Sequence, residues 1–431
     1  MSARDRVPVR HVLAVFVGNG LEFYDFLTFS YFAVYISRTF YPHGAGADAL
    51  LATLATFGAG FITRPIGAVI LGRMGDRVGR KPAMLITFSM MGLAITGLAL
   101  TPSFESIGYA APVLVVLFRL VQGFALGGEV GPTTAYMAES APARRRGLYL
   151  SMQFATQDAA TLTAGIVAVT LAHYLSDAQL QHWGWRAAML LGASIVPFGL
   201  LLRRALPETL PVADDAALAP DATRGALSLG RRLKPHLRIA VLGLVMLMAG
   251  TIGAYTIGYM TTYALDTLKF PAVIAFGVPI INGGFSMTFE ALSGWITDRI
   301  GRKPVMIAAQ ALLVISIFPC YWAIEHFRSP AALYGAETVM VILAALASVP
   351  PIVAITEQLP ASIRSGALAT IYALAISIFG GTTQFVAKGL ITLSGDPLAP
   401  AYYWTVAGVL GLIAMLLVKE SAPAKTGAAA R

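Results

Sequence analysis

The sequence predicts an all-α membrane protein with 12 transmembrane helices in two pseudo-symmetric halves of six. The first observation is composition: of 431 residues, 57% are hydrophobic and only 12% are charged, whereas soluble chains carry about 25% charge. The second is about 12 apolar segments, most of them near the ~20 residues with which a helix crosses a bilayer. The third is a pair of motifs that recurs in both halves, a pattern typical of secondary transporters.

The apolar segments define the domain organisation. They fall at 11–37, 50–73, 83–101, 110–137, 148–174, 186–205, 238–265, 272–297, 304–325, 332–355, 366–392 and 400–418. The longest polar stretch separates the sixth segment from the seventh and is typical of a flexible cytoplasmic linker. We therefore expect an N-terminal six-helix half, a linker and a C-terminal six-helix half, at 1–205, 206–235 and 236–431.

The basic residues predict the orientation of these segments. If the N-terminus is cytoplasmic, 24 of the 31 Lys and Arg residues fall on the cytoplasmic side, four fall outside, and three lie within segments. This asymmetry follows the positive-inside rule, so we expect both termini in the cytoplasm. The expected location is the cell inner (plasma) membrane. The net charge of +9 is thereby explained without nucleic-acid binding. The single cysteine, Cys320, lies in an apolar run and offers no disulfide framework.

Two loop motifs indicate an internal duplication. "GRMGDRVGRKP" at 72–82 corresponds to "GWITDRIGRKP" at 294–304, and "AESAPARRRGLYLS" at 138–151 corresponds to "TEQLPASIRSGALA" at 356–369. The offsets of 222 and 218 residues agree apart from a short insertion. A tandem repeat of six helices accounts for both motifs.

These loops resemble the major facilitator superfamily. "RLVQGFALGGE" (119–129) resembles its fourth-helix motif, and "GNGLEFYDF" (18–26) with "FGGTTQF" (379–385) resembles its metabolite–proton symporter branch, closest to the citrate and tricarballylate carriers. The resemblance implies alternating-access uptake of a citrate-like or dicarboxylate anion with protons. The alternatives are a proton- or sodium-coupled betaine or proline symporter and, more remotely, a non-transporting receptor.

Charged and amide side chains within the first and fourth segments predict a coupling site. Helical spacing places Asn19, Glu22 and Asp25 on one side of the first helix, and Arg119 with Gln122 on one side of the fourth. Each charge costs about 2.5–3.5 kcal/mol at mid-bilayer and therefore needs a partner. One interpretation is a static ion pair. In the other, Glu22 or Asp25 takes up a proton when Arg119 turns from the acid to an anionic substrate, with Gln122 and Asn19 in support.

Polar stripes on the seventh and eleventh helices predict further substrate contacts. They contain Tyr255 and Tyr259, and Gln384 and Lys388, at helical spacing. Ordinary helix packing is the alternative for the tyrosines. Lys388 could equally extend its ammonium toward the membrane interface.

Three further charges have structural interpretations. Asp158 and Glu290 are expected to be structural partners of Arg64.

The repeated loops carry acids that can cap a helix or pair with arginines. The resemblance implies that such bonds stabilise the outward-open state, and the alternative is that they only fix loop shape. The predicted gating residues are Asp76, Arg77, Arg80, Asp298, Arg299 and Arg302.

No motif predicts catalysis or a cofactor. The chain has no G-x-x-x-x-G-K-[ST] phosphate loop, and "GNG" covers only the start of a dinucleotide motif. The six histidines show no metal-ligand spacing. We therefore expect a non-enzymatic monomer without metal or cofactor, whose partners are the bilayer, a small organic anion and protons.

Overall fold

The computed structural model describes residues 20, 23–42, 44, 46–78, 80–127, 145–204 and 234–426, and this part of the chain is helical without strands. We label its main helices α1 to α12. Their bounds are α1, 23–31 and Ala33–Phe40; α2, Gly46–Ile62 and Arg64–Val78; α3, Arg80–Leu100; α4, Ala110–Gly127; α5, Arg146–Tyr174; α6, Trp185–Arg204; α7, Leu237–Thr262; α8, Val278–Ile300; α9, Arg302–Phe327; α10, Pro330–Gln358; α11, Ala361–Ala375 and Gly381–Ser394; and α12, Ala399–Leu417.

The helices match the predicted segments in order. Within the described ranges, nine helices are long and apolar enough to cross a membrane. The predicted eighth segment begins at 272, but a short helix at Ala272–Ala275 precedes α8. All but two residues of the predicted linker 206–235 lie outside the described residues. The boundaries of the two halves therefore stay a proposal.

Glycines bring the backbones of α2 and α4 into contact. A Cβ placed on Gly123 would lie 1.6 Å from the carbonyl oxygen of Gly60, and one on Gly67 would lie 1.9 Å from that of Phe124. Small residues permit this approach between transmembrane helices. At the same level α2 is interrupted at Thr63, whose hydroxyl donates to the Leu120 carbonyl over 2.7 Å. This interruption places the following residue, an arginine, at the start of the second part of α2.

Glycines lie at two of the helix pairs that join the N-terminal helices to the C-terminal ones. Between α2 and α11, a Cβ on Gly58 would lie 2.2 Å from the Gly381 carbonyl oxygen. Between α5 and α8, a Cβ on Gly283 would lie 2.4 Å from the Leu162 nitrogen. Next to Gly381, α11 contains a π-helical turn at Ile376–Gly380, a feature frequent at functional sites.

The C-terminal tail contacts the N-terminal end of α9. The carboxylate of Glu420 accepts hydrogen bonds from the backbone nitrogens of Arg302 and Lys303, each over 3.0 Å. It also accepts from those of Ser421 and Ala422, each over 2.9 Å. Burial would raise the pKa of Glu420, but these four donors outweigh it and hold the pKa below the ordinary range. The tail thus serves as an N-terminal cap of α9.

The Glu420 cap predicts a pH-dependent contribution to stability. Because the folded pKa is depressed, the contribution is full above the unfolded value of about 4.3 and is lost as the pH falls through the folded value. Glu420→Gln should lower the apparent melting temperature in detergent at pH 7 by about 2 °C, as expected for ~1 kcal/mol. The difference from the wild type should shrink at acid pH. An undiminished difference at pH 3 would refute the cap, and Glu325→Gln, in an exposed pair with Arg328, is the matched control.

Candidate functional site

A cavity of about 470 Å³ lies among helices of both halves. This volume suits a small metabolite. Its wall is largely aromatic and aliphatic, and its polar side chains come from α1, α2, α5, α7, α8, α9, α10 and α11. They include Tyr31, Arg64, Gln157, Asp158, Tyr255, Asn282, Ser286, Glu290, Gln310, Tyr372, Ser377 and Gln384. Among the described lining residues, the charged ones are Arg64, Asp158 and Glu290.

On the side that the charge pattern assigns to the exterior, α1 contacts α7 and α11. The amide of Gln384 donates to the hydroxyl of Ser30 over 2.8 Å, and Thr262 donates to the Ser30 carbonyl over 3.4 Å. Farther out, the ring centroids of Phe32 and Phe276 are 4.7 Å apart. These contacts close the outer side of the cavity along α1.

On the opposite side, which the charge pattern assigns to the cytoplasm, Asp298 of α8 caps α5. Its two carboxylate oxygens accept hydrogen bonds from the backbone nitrogens of Gly147 and Leu148, both over 3.0 Å. Arg302 donates to Asp298 over 2.5 Å and to Glu357 over 2.9 Å. Within the described residues, contacts between the halves therefore lie on both sides of the cavity.

Of the predicted coupling residues, Asp25, Gln122 and Arg119 meet. Gln122 donates to Oδ2 of Asp25 over 2.9 Å and accepts from Nη1 of Arg119 over 2.8 Å. All three side chains are 1% exposed. Within the described residues, Oδ1 of Asp25 and both Nε and Nη2 of Arg119 have no hydrogen-bond partner. The acid and the guanidinium are thus linked through an amide rather than by a direct ion pair.

Arg119 lies behind the cavity wall. Its guanidinium stacks on the rings of Phe26, Phe29 and Phe57 at 5.0, 4.4 and 5.2 Å. Two of these rings, Phe26 and Phe57, face the cavity. Arg64 lies in the wall itself, with its guanidinium 4.0 Å from the ring of Phe61 and 4.7 Å from that of Phe26. Among the described residues, Arg64 is therefore the cationic side chain that lines the cavity.

The other predicted contacts divide between the wall and its surroundings. Tyr255 and Gln384 line the cavity. Tyr259 is buried, and among the described residues its hydroxyl has no partner and lies off the wall. Lys388 is neither at the wall nor extended to the interface, because its ammonium pairs with Asp266 over 2.6 Å. Asn19 and Glu22 lie outside the described residues.

Asp158 of α5 and Glu290 of α8 face each other across the two halves. Their carboxyl groups are within hydrogen-bonding reach of each other. Glu290 also accepts from the Ser348 hydroxyl over 3.0 Å. In the described part of the chain, Oδ2 of Asp158 and Oε2 of Glu290 have no other partner. The sequence predicted both acids as partners of Arg64. It did not predict the contact of Asp158 with Glu290.

Comparison with known proteins decides the family. The profile of the Major Facilitator Superfamily matches residues 15–291. The chain belongs to this superfamily. A second profile, for sugar and other transporters, matches residues 286–423. The chain is 33% identical to a citrate-proton symporter of Klebsiella pneumoniae over 94% of its own length and 90% of that protein's.

A second relative and a solved structure extend the comparison. The chain is 34% identical to an alpha-ketoglutarate permease of Escherichia coli K12, with coverage of 93% and 90%. The crystal structure of a D-xylose-proton symporter superposes with a TM-score of 0.75 at 21% identity, covering 98% of this chain and 99% of that one. The predicted fold class, the resemblance to the citrate branch and the non-enzymatic nature of this major facilitator protein are confirmed.

The gating residues that the sequence predicted for this major facilitator protein differ from one another in their contacts. Asp298 and Arg302 form the contacts described above, whereas Arg299 is exposed and stacks on Trp295 at 3.8 Å. Asp76 and Arg77 lie in α2, and Arg80 begins α3, but their side chains fall outside the described residues. A gating role for the whole set stays a prediction.

The Asp298 cap can be tested directly. Asp298→Ala removes two charge-assisted bonds between the halves, together worth roughly 1.5–3 kcal/mol. We expect the population of the inward-open state to rise by about tenfold or more, measured by the distance between spin labels on α5 and α8. Lys303→Ala is the control, because this ammonium bonds the Leu416 carbonyl within the C-terminal half. An unchanged distance distribution in Asp298→Ala would contradict a gating role.

Proposed function

We propose that this chain is a proton-coupled symporter that takes up a small organic anion, citrate-like or a dicarboxylate, by alternating access. It is proposed to act as a monomer in the bacterial inner membrane, with both termini in the cytoplasm. The observation that carries the proposal is the buried Asp25–Gln122–Arg119 chain beside the cavity. The citrate-proton symporter relative supports both the substrate class and the ion.

The proposed proton coupling is argued from the position of Gln122, which is hydrogen-bonded to both Asp25 and Arg119. A carboxylate at a site that is 1% exposed needs a nearby cation to remain ionised. Arg119 supplies that charge from the other side of the Gln122 amide. A shift of α4 relative to α1 therefore changes the proton affinity of Asp25. We therefore assign the transported proton to Asp25, while Glu22 stays a second candidate.

Anion binding is assigned to the cavity wall. Arg64 contributes a guanidinium, which suits carboxylate recognition, and Tyr255 and Gln384 contribute a hydroxyl and an amide. The sequence-based assignment of the anion to Arg119 requires that guanidinium to pass the rings of Phe26 and Phe57. The prediction that Lys388 binds substrate likewise requires release of Asp266. Both residues are therefore proposed as secondary contacts, with Gln122, Asn19 and Tyr259.

The test is a substrate panel in proteoliposomes. Labelled citrate, succinate, 2-oxoglutarate and betaine are offered under an imposed inward pH gradient or an imposed sodium gradient. The proposal predicts uptake of at least one anion that follows the pH gradient. Uptake of betaine alone would establish an osmolyte symporter instead, uptake that follows only sodium would overturn the proton assignment, and no flux of any compound would favour a receptor.

A further inference from the structure

The contact between Asp158 and Glu290 has no role in the proposed cycle so far. Two carboxyl groups that approach within hydrogen-bonding reach repel each other when both are ionised, and a hydrogen bond between them needs one proton. Glu290 is 8% exposed, and the one further donor among the described residues is the Ser348 hydroxyl. A contact between these two carboxyl groups is therefore favoured when the pair holds one proton.

The surroundings of the pair supply little compensating positive charge. Tyr31 of α1 lies near Asp158, and Tyr372 of α11 lies near Glu290. Arg64 of α2 also lies near Tyr372 and belongs to the same cavity wall. Among the described residues of α10, the donor to the pair is the Ser348 hydroxyl. These neighbours favour a protonated pair while the two helices remain in contact.

The pair also lies where a proton can be exchanged with the transport pathway. Both acids line the cavity, and one comes from each half. Beside them the backbones of α5 and α8 touch, since a Cβ on Gly283 would lie 2.6 Å from the Asp158 carbonyl oxygen. Any rocking of one half against the other changes the distance between these carboxyl groups. The proton affinity of the pair changes with that distance.

We propose that Asp158 and Glu290 form a second proton-carrying site of the transport cycle, loaded when α5 and α8 are in contact and discharged when they separate. The inference rests on the proposed proton-coupled function and extends it to the number of protons transported per substrate. Each cycle then moves one proton at Asp25 and a second at this carboxyl pair.

The test measures the coupling ratio in proteoliposomes held at zero membrane potential. At fixed external pH, the logarithm of substrate accumulation is plotted against the imposed pH difference, and the slope counts protons per substrate. Asp158→Asn with Glu290→Gln should lower the slope by one, a tenfold lower accumulation per pH unit. Exchange between two substrate pools should continue. An unchanged slope would overturn the second site and leave a purely structural contact.

Glu337→Gln is the matched control. This acid of α10 is fully buried, and within the described residues neither of its carboxyl oxygens has a hydrogen-bond partner, but it lies off the cavity wall. Its replacement should leave the slope unchanged. A wild type whose slope is zero would overturn the proposed function together with this site, whereas a coupled wild type with an unaffected double variant would overturn the second site alone.

A second measurement does not depend on transport. Infrared difference spectra of the purified protein, recorded between acid and alkaline pH, report protonated carboxyl groups through their C=O stretch. The double variant should lose one protonated-carboxyl band that Asp25→Asn retains. The same bands in wild type and double variant would show that the pair carries no proton, even if the double variant were inactive.

Discussion

Asp25→Asn should lower the accumulation of substrate about tenfold at a pH difference of one unit, while exchange between two substrate pools continues. The asparagine still accepts the hydrogen bond from Gln122, but it cannot carry a proton. One proton fewer per cycle corresponds to a loss of about 1.4 kcal/mol of driving force per pH unit. The measurement is the slope of the logarithm of accumulation against pH difference, which should fall by one.

The outcome separates coupling from structure. If exchange and accumulation disappear together, Asp25 is needed for folding or binding, and the static ion-pair interpretation is favoured. If the slope is unchanged, the proton is carried elsewhere, and Glu22→Gln becomes the deciding variant. The triple variant with Asp158→Asn and Glu290→Gln should lose two protons, which corresponds to about a hundredfold lower accumulation per pH unit.

Arg64→Ala should raise the KM for the anion by roughly 10- to 100-fold. The variant removes the one cationic side chain among the described lining residues, and a charge-assisted hydrogen bond contributes about 1.5–3 kcal/mol. Arg64→Lys should recover part of the affinity, because it keeps the charge and loses the planar fork. Initial rates of counterflow over a range of substrate concentrations provide the measurement. A KM within twofold of the wild type would assign anion binding elsewhere, with Arg119 as the next candidate.

The sequence was most informative about the fold. Composition, segment lengths and the repeated loops predicted the twelve-helix arrangement, because the bilayer permits few ways to satisfy the backbone. Helical spacing also predicted that Asp25 and Gln122 would face the side on which Arg119 lies, and the structure joins these three residues. The depth of a residue in its helix and the side of the helix on which it lies are properties of a single helix. Both can therefore be predicted from the sequence.

The position of each charge relative to the cavity required the tertiary structure. Arg64 was visible as a cation in an apolar segment, but its place in the wall depends on the interruption of α2 at Thr63 and on the glycine contacts with α4. Lys388 shared a polar stripe with Gln384, yet its partner Asp266 comes from the turn after α7. The same holds for Asp158 and Glu290, which lie more than 130 residues apart in the sequence. Such pairings depend on how helices from opposite halves pack.

The central claim is that protons and an organic anion move together, and substrate-induced proton movement tests it most directly. Vesicles that contain the purified protein and a lumenal pH dye are given external citrate, 2-oxoglutarate or succinate without any imposed gradient. The account predicts that at least one of these anions acidifies the lumen of protein-containing vesicles but not of protein-free ones. Entry of the labelled anion with no change in lumenal pH would contradict it.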